Sequence, residues 1–188
     1  MKKGILQGMD DEQLLALFTA GEAAAGEVLL GRFRPTVLSF FMRRLPPVDA
    51  DEQTQVVLEV LSKLPQRTES LRSTLRSFVF GVARMTLRGY CSRKANGRNF
   101  DPDVHSLVSL DPSLSSQISE LNRRSWLGTA IETLPLEAQM LLEMRYGQRL
   151  GYREIAAIYE EPEPTIRRRM QLLKSKLQIM RQRFEKKQ

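Results

Sequence analysis

An all-helical chain of two small domains joined by an extended linker, the second domain a helix-turn-helix, is the architecture that three observations predict. Apolar residues recur at spacings of three and four along most of the chain, with no strand-like alternation. Residues 96–119 lose that periodicity and gather Gly97, Pro102, Pro112, three aspartates and many serines. A length of 188 residues suits one domain or two small ones. The boundaries read as 1–95, 96–119 for the linker and 120–188.

The elements follow in order. Asp10, Asp11 and Glu12 head a helix carrying Leu14, Leu15 and Phe18, since acids in a first turn complement the helix dipole. Gly21 punctuates it, and a second helix runs from Ala23 to Phe33 with Val28, Leu29 and Leu30 on its apolar side. Pro35 fits the first turn or a kink of the next, through Val37, Leu38, Phe41 and Met42, which Pro46 and Pro47 end. Asp49, Asp51 and Glu52 head another helix with Val57, Leu58, Leu61 and Leu64 spaced for burial, stopped by Pro65. A loop from Gln66 to about Ser73 leads to a long helix, 75–94. Beyond the linker, helices are predicted at about 120–133, 135–146, 152–159 and 163–186.

Composition excludes several functions. The 41% hydrophobic and 27% charged content is that of a soluble globular protein, and 7% aromatic content leaves the core to Leu, Val, Ile, Ala and Met. A single cysteine, Cys91, excludes an internal disulfide and fits a reducing compartment. With His105 the single histidine, His- or Cys-rich zinc sites and most histidine-based catalysis are excluded, and neither metal nor cofactor is expected. Acids at 10–12 follow Met1-Lys2-Lys3 before any signal-like apolar run develops, and no apolar stretch nears the ~20 residues that span a bilayer. A cytoplasmic location is expected.

Charge is distributed in blocks. The net +7 divides into −2 over residues 1–66, +7 over 67–98, −5 over 99–162 and +7 over 163–188. Two basic islands in an otherwise acidic chain suggest a polyanion gripped at two places. In the first, Arg72, Arg76, Phe80, Arg84 and Arg88 fall four apart, a slowly winding row in which guanidinium groups bind phosphate and an aromatic stacks on bases. The alternative is an amphipathic helix with an Arg-rich wet face. In the second, the short amphipathic helix 152–159 and a brief turn precede a basic helix entered at Pro164-Thr165, the layout of a helix-turn-helix. Ile166, Met170, Leu173, Leu177, Met180 and Phe184 form an apolar seam, leaving Arg167, Arg168, Gln171 and Lys174 off it to face a major groove. A coiled-coil seam between subunits is the alternative there.

These residues resemble the extracytoplasmic-function (ECF, group 4) sigma factors, small two-domain bacterial sigma factors. Ala50-Asp51-Glu52-Gln53-Thr54-Gln55, then Val57-Leu58, is similar to the family's acidic helix that docks on core RNA polymerase. Arg76 to Arg84 is similar to its W-L-Y-x-I-A-R-N helix beside the minus-10 element, with Phe78 where tryptophan is usual. Leu134-Pro135, Arg145-Tyr146, Tyr152-x-Glu154-Ile155-Ala156 and Pro162-x-x-Thr165-Ile166-Arg167-x-Arg169 resemble its minus-35-binding domain. Met85, Val56, Glu160 and Leu172 depart from the usual Asn, Glu, Gly and Arg.

The resemblance implies polymerase docking by Asp51, Glu52, Gln55 and Leu58, and minus-10 binding and melting by Arg76, Phe80, Arg84 and Arg88. It implies minus-35 binding by Thr165, Arg167, Arg168, Arg169, Gln171 and Lys174. Arg167 is the expected base reader, Arg168 and Gln171 additional readers, and Arg169 and Lys174 phosphate contacts. Core RNA polymerase and promoter DNA are the implied partners, with an anti-sigma factor or other regulator; the chain has no chemistry of its own. A free-standing dimeric helix-turn-helix repressor is the competing reading, and it leaves the acidic helix and the first basic island unexplained. A nucleic-acid enzyme would need carboxylate clusters, and the two present both head helices.

Overall fold

The computed structural model describes residues 2–66, 71, 74–95, 100–110 and 126–186. Arg72, parts of the linker (96–99 and 111–119) and the start of the helix expected at 120–133 lie outside the described residues. Ten α-helices carry the fold and no strand occurs among the described residues.

In the first module, α1 is Lys2–Gln7 and α2 is Asp11–Thr19. Asp10 closes a capping box, its carboxylate accepting from the Gln13 amide at 2.8 Å while Gln13 Oε1 accepts from the Asp10 amide at 3.1 Å. Gly21 turns the chain at φ +98°, a conformation that costs glycine least. Two helices expected around Pro35 are one, α3, Ala23–Met42. Proline removes one amide donor from the ladder. Burial of Leu29, Phe33, Val37, Phe40 and Phe41 along the helix outweighs that loss, at ~1.5–3 kcal/mol per large side chain. α2 lies so close to α3 that a Cβ on Gly26 would sit 2.4 Å from the Phe18 ring.

Pro47 occupies the first turn of α4, Pro47–Ser62, and a 3₁₀ turn, Leu64–Gln66, follows. Thr74 caps α5, Leu75–Lys94, its hydroxyl accepting from the Ser77 amide at 3.2 Å. α3 packs on α2 and α4, and α5 on α4. The core centres on Phe40, Phe41 and Phe80, with Phe40 edge-on to Phe41 at 5.2 Å.

Part of the linker is folded. Residues 101–104 form a turn, and α6, Leu107–Leu110, buries Leu107. Backbone bonds from the amides of Leu136 to His105 and of Glu137 to Pro102, both 3.0 Å, fasten this stretch to the second module. That module comprises α7, Trp126–Glu132, α8, Leu136–Leu142, a π-helical turn at Glu143–Gly147, α9, Tyr152–Tyr159, and α10, Glu163–Glu185. Leu134, Leu136, Met140, Met144, Leu150, Ile155, Ile166 and Met170 fill its centre.

The two modules pack together. α9 lies against α5, and one contiguous apolar cluster runs through both. No helix among the described residues is long and apolar enough to cross a membrane.

Candidate nucleic-acid interface

Three surfaces hold the residues singled out in the sequence. On α4, Asp51, Glu52 and Gln55 are exposed on one side, whereas Leu58 turns inward and is 8% exposed. Asp51 accepts from Arg34 Nη2 at 2.8 Å, with both side chains about half in solvent. Sequence reasoning missed Val48 and Val60, which together with Val56 are exposed on the same helix and intersperse the acids with apolar surface. The signal was present, because at ~100° per residue these valines fall off the side shared by Val57, Leu58 and Leu61.

α5 carries the row Arg76, Phe80, Arg84 and Arg88. The expectation that Phe80 offers a stacking platform is corrected: its ring is fully buried, 6.0 Å from that of Phe40. A step of four residues advances ~40° beyond a full turn, so the row does not keep to one side: Arg76 is exposed, Phe80 is buried, and Arg84 and Arg88 are partly buried. The exposed positions of α5 are Arg76, Met85, Ser92, Arg93 and Lys94.

The arginines of this row meet the second module. Arg76 Nη2 donates to the Gln148 carbonyl at 2.9 Å. Arg84 forms a two-pronged pair with Glu137, Nε to Oε2 at 2.9 Å and Nη2 to Oε1 at 3.0 Å, and Arg88 Nη1 donates to the same Oε1. Arg84 also lies over the Tyr159 ring at 4.2 Å. Burial alone would lower the Arg84 pKa, but hydrogen bonding to Glu137 and its charge outweigh that and raise it. Tyr159 is pushed far above its ordinary value by burial and the nearby Glu137 charge.

Further contacts complete the seam. Arg44 is buried, donating to the carbonyls of Phe40 at 2.7 Å and Gln139 at 3.2 Å. Burial lowers its pKa to about 10, opposed by the Glu143 charge. Arg43 Nη1 donates to Glu143 Oε2 at 3.3 Å, and the Thr74 hydroxyl to Glu154 Oε1 at 2.8 Å.

On the second module, α9 and α10 are joined through Glu160, which takes the left-handed conformation at φ 53° and ψ 36°. Ile166 and Met170 are fully buried, so Thr165, Arg167, Arg168, Arg169, Gln171 and Lys174 all face outward. Arg167 Nε donates to Glu163 at 2.8 Å and the guanidinium lies 4.4 Å from the Tyr152 ring centre, which fixes its direction. Arg169 pairs with Glu161 at 3.0 Å, and Lys174 sits 6.0 Å from the Tyr146 ring centre. The apolar seam is covered along its first half only: Leu173, Leu177 and Met180 are partly exposed and Phe184 is 44% exposed. No cluster of His, Cys, Asp and Glu suited to a metal ion occurs among the described residues.

Comparison with known proteins matches the family described as "Sigma-70, region 4" over residues 124–177, which contain α7 to α9 and most of α10. Over 174 residues the chain is 25% identical to the ECF RNA polymerase sigma-E factor of Escherichia coli strain K12, covering 86% of this chain and 89% of that protein. The proteins of the same description from Shigella flexneri and Salmonella typhimurium strain LT2 are similar to the same extent.

Proposed function

The chain is an extracytoplasmic-function sigma factor that directs transcription initiation, and from that premise we propose how its surfaces divide the work. The first domain, residues 1–95, docks on core RNA polymerase through Asp51, Glu52 and Gln55 of α4, with Val56 and Val60 adding apolar contact. Leu58 supports that face from beneath. Arg76, Arg84 and Arg88 bind phosphates at the minus-10 element, and Phe80 fixes the helix that carries them. Residues 96–119 connect to the second domain, 120–188, whose α10 enters the major groove at the minus-35 element with Thr165, Arg167, Arg168, Arg169, Gln171 and Lys174 facing DNA.

The observation that carries this reading is the partition of α10, with Ile166 and Met170 fully inside while six consecutive-turn polar and cationic side chains point out. A helix so divided presents bidentate donors to base edges and cations to the flanking phosphates. The protein brings no catalytic groups, because bond formation belongs to the polymerase, and it works in the cytoplasm where promoter DNA lies. An anti-sigma factor or another regulator is the control that this family implies.

Transcription with core polymerase on a genomic fragment library tests the proposal. Transcripts sharing two upstream sequence blocks are the expected outcome. Unaided binding to palindromic DNA, with no core-dependent transcripts, would establish the dimeric repressor instead.

A further inference from the structure

The basic segment 67–98 and the acidic segment 99–162 carry net charges of +7 and −5, and within them α5 packs against α9. At their centre one carboxylate, Glu137, 6% exposed, receives both Arg84 and Arg88. A carboxylate gripped by two prongs of a guanidinium offers the same planar pair of oxygens as a phosphate diester. Arg76 is held by the Gln148 carbonyl and Thr74, which caps α5, by Glu154. Every cationic minus-10 contact proposed above is therefore engaged from within the chain.

We infer that this is a self-blocked form of the sigma factor, in which Glu137 occupies the phosphate-binding position of Arg84 and Arg88 until the two modules separate. The inference rests on the functional assignment above. Geometry supports it independently of charge. Promoter elements named for positions 10 and 35 are separated by roughly 85 Å of duplex at 3.4 Å per base pair. A closed globular chain of this length has a radius of gyration of roughly 16 Å and so a diameter near 40 Å. The closed form cannot touch both elements at once, so reading a promoter requires the α5–α9 contact to open. Gly81 lies at that contact, with Ile158 the nearest side-chain neighbour at 4.0 Å from where a Cβ would stand, so α5 and α9 approach closely there.

Glu137→Gln keeps the shape and removes the charge. In the full chain without polymerase it should enlarge the radius of gyration seen by small-angle scattering. It should also tighten binding of a short fluorescein-labelled single-stranded DNA by about tenfold, as the competent population rises. Unchanged scattering and DNA affinity in a folded Glu137→Gln protein would overturn the inference.

A second arm locks the modules. Thr74→Cys with Glu154→Cys, bridged by a cleavable bis-maleimide, should abolish core-dependent transcription, and cleavage of the bridge should restore it. Native Cys91 is buried, and burial pushes its thiol up to about 12, so it does not compete for the reagent. Full transcription by the locked protein would equally overturn the inference. Absence of transcripts from the unmodified chain would instead overturn the functional assignment, while the scattering and DNA-binding arms still report on closure.

Discussion

Glu160 shows how one residue records a backbone requirement. It follows α9 at φ 53°, where a side chain costs ~1–2 kcal/mol relative to the right-handed region and glycine costs less. Glu160→Gly is expected to raise the unfolding free energy by ~0.5–1 kcal/mol, read as an upward shift in urea midpoint with unchanged slope. On α10, the direction of Arg167 is set by Glu163 on one side and Tyr152 on the other, whereas Lys174 has only a distant aromatic neighbour. Arg167→Ala should relax preference at one minus-35 position at a cost of ~1–3 kcal/mol. Lys174→Ala should weaken all promoters alike and reduce the salt slope by about one. Transcription from a randomised minus-35 library, repeated across salt concentrations, distinguishes them.

At the scale of the element, α4 and α5 face opposite demands. α4 packs on one side and leaves acids and valines outward. Reversing both Asp51 and Glu52 to Lys should weaken binding to core polymerase at least tenfold, through the electrostatic complementarity of the interface. Thermal stability should barely change, because the Arg34–Asp51 pair is solvent-exposed and worth only ~0–1 kcal/mol. Binding to immobilised core and a calorimetric scan measure the two effects.

α5 is packed on both sides, by α4 and by α9. Phe80→Ala should therefore act through stability, losing ~3–5 kcal/mol from the cavity it leaves, as measured by denaturant unfolding. A variant with wild-type stability and a specific defect in strand opening would contradict that burial. The i, i+4 row on this helix was legible in the sequence; which side of the helix it occupied was not. An arginine row reads as a wet face when only one packing partner is counted, and here the second module supplies another.

Across the whole molecule, the modules share an apolar cluster and the pairing of Arg84 and Arg88 with Glu137. Calorimetry on the free chain should give one cooperative transition rather than two. Glu137→Ala removes the partner of a mostly buried Arg84 and should destabilise that transition by up to ~3–5 kcal/mol or resolve it into two. A single unshifted transition in the variant would show that the Glu137 pairs contribute nothing to stability.

The sequence by itself determined the helical class, most element positions, the helix-turn-helix and the polar side of α10. These follow from local rules: spacing fixes which residues of a helix share a side, and prolines and capping residues fix where helices begin and end. The helix predicted at 75–94 is α5, Leu75–Lys94, because Thr74 caps it and its apolar spacing is unbroken. Tertiary structure alone decided that α3 runs through Pro35, that Phe80 lies inside, and that Glu137 joins Arg84 and Arg88 across about fifty residues. Those outcomes depend on which surfaces meet, and a pairing between distant segments leaves no periodic trace in either one. The charge blocks suggested a polyanion gripped at two places; only folding decided that arginines of the first basic segment would pair with a carboxylate of the second module.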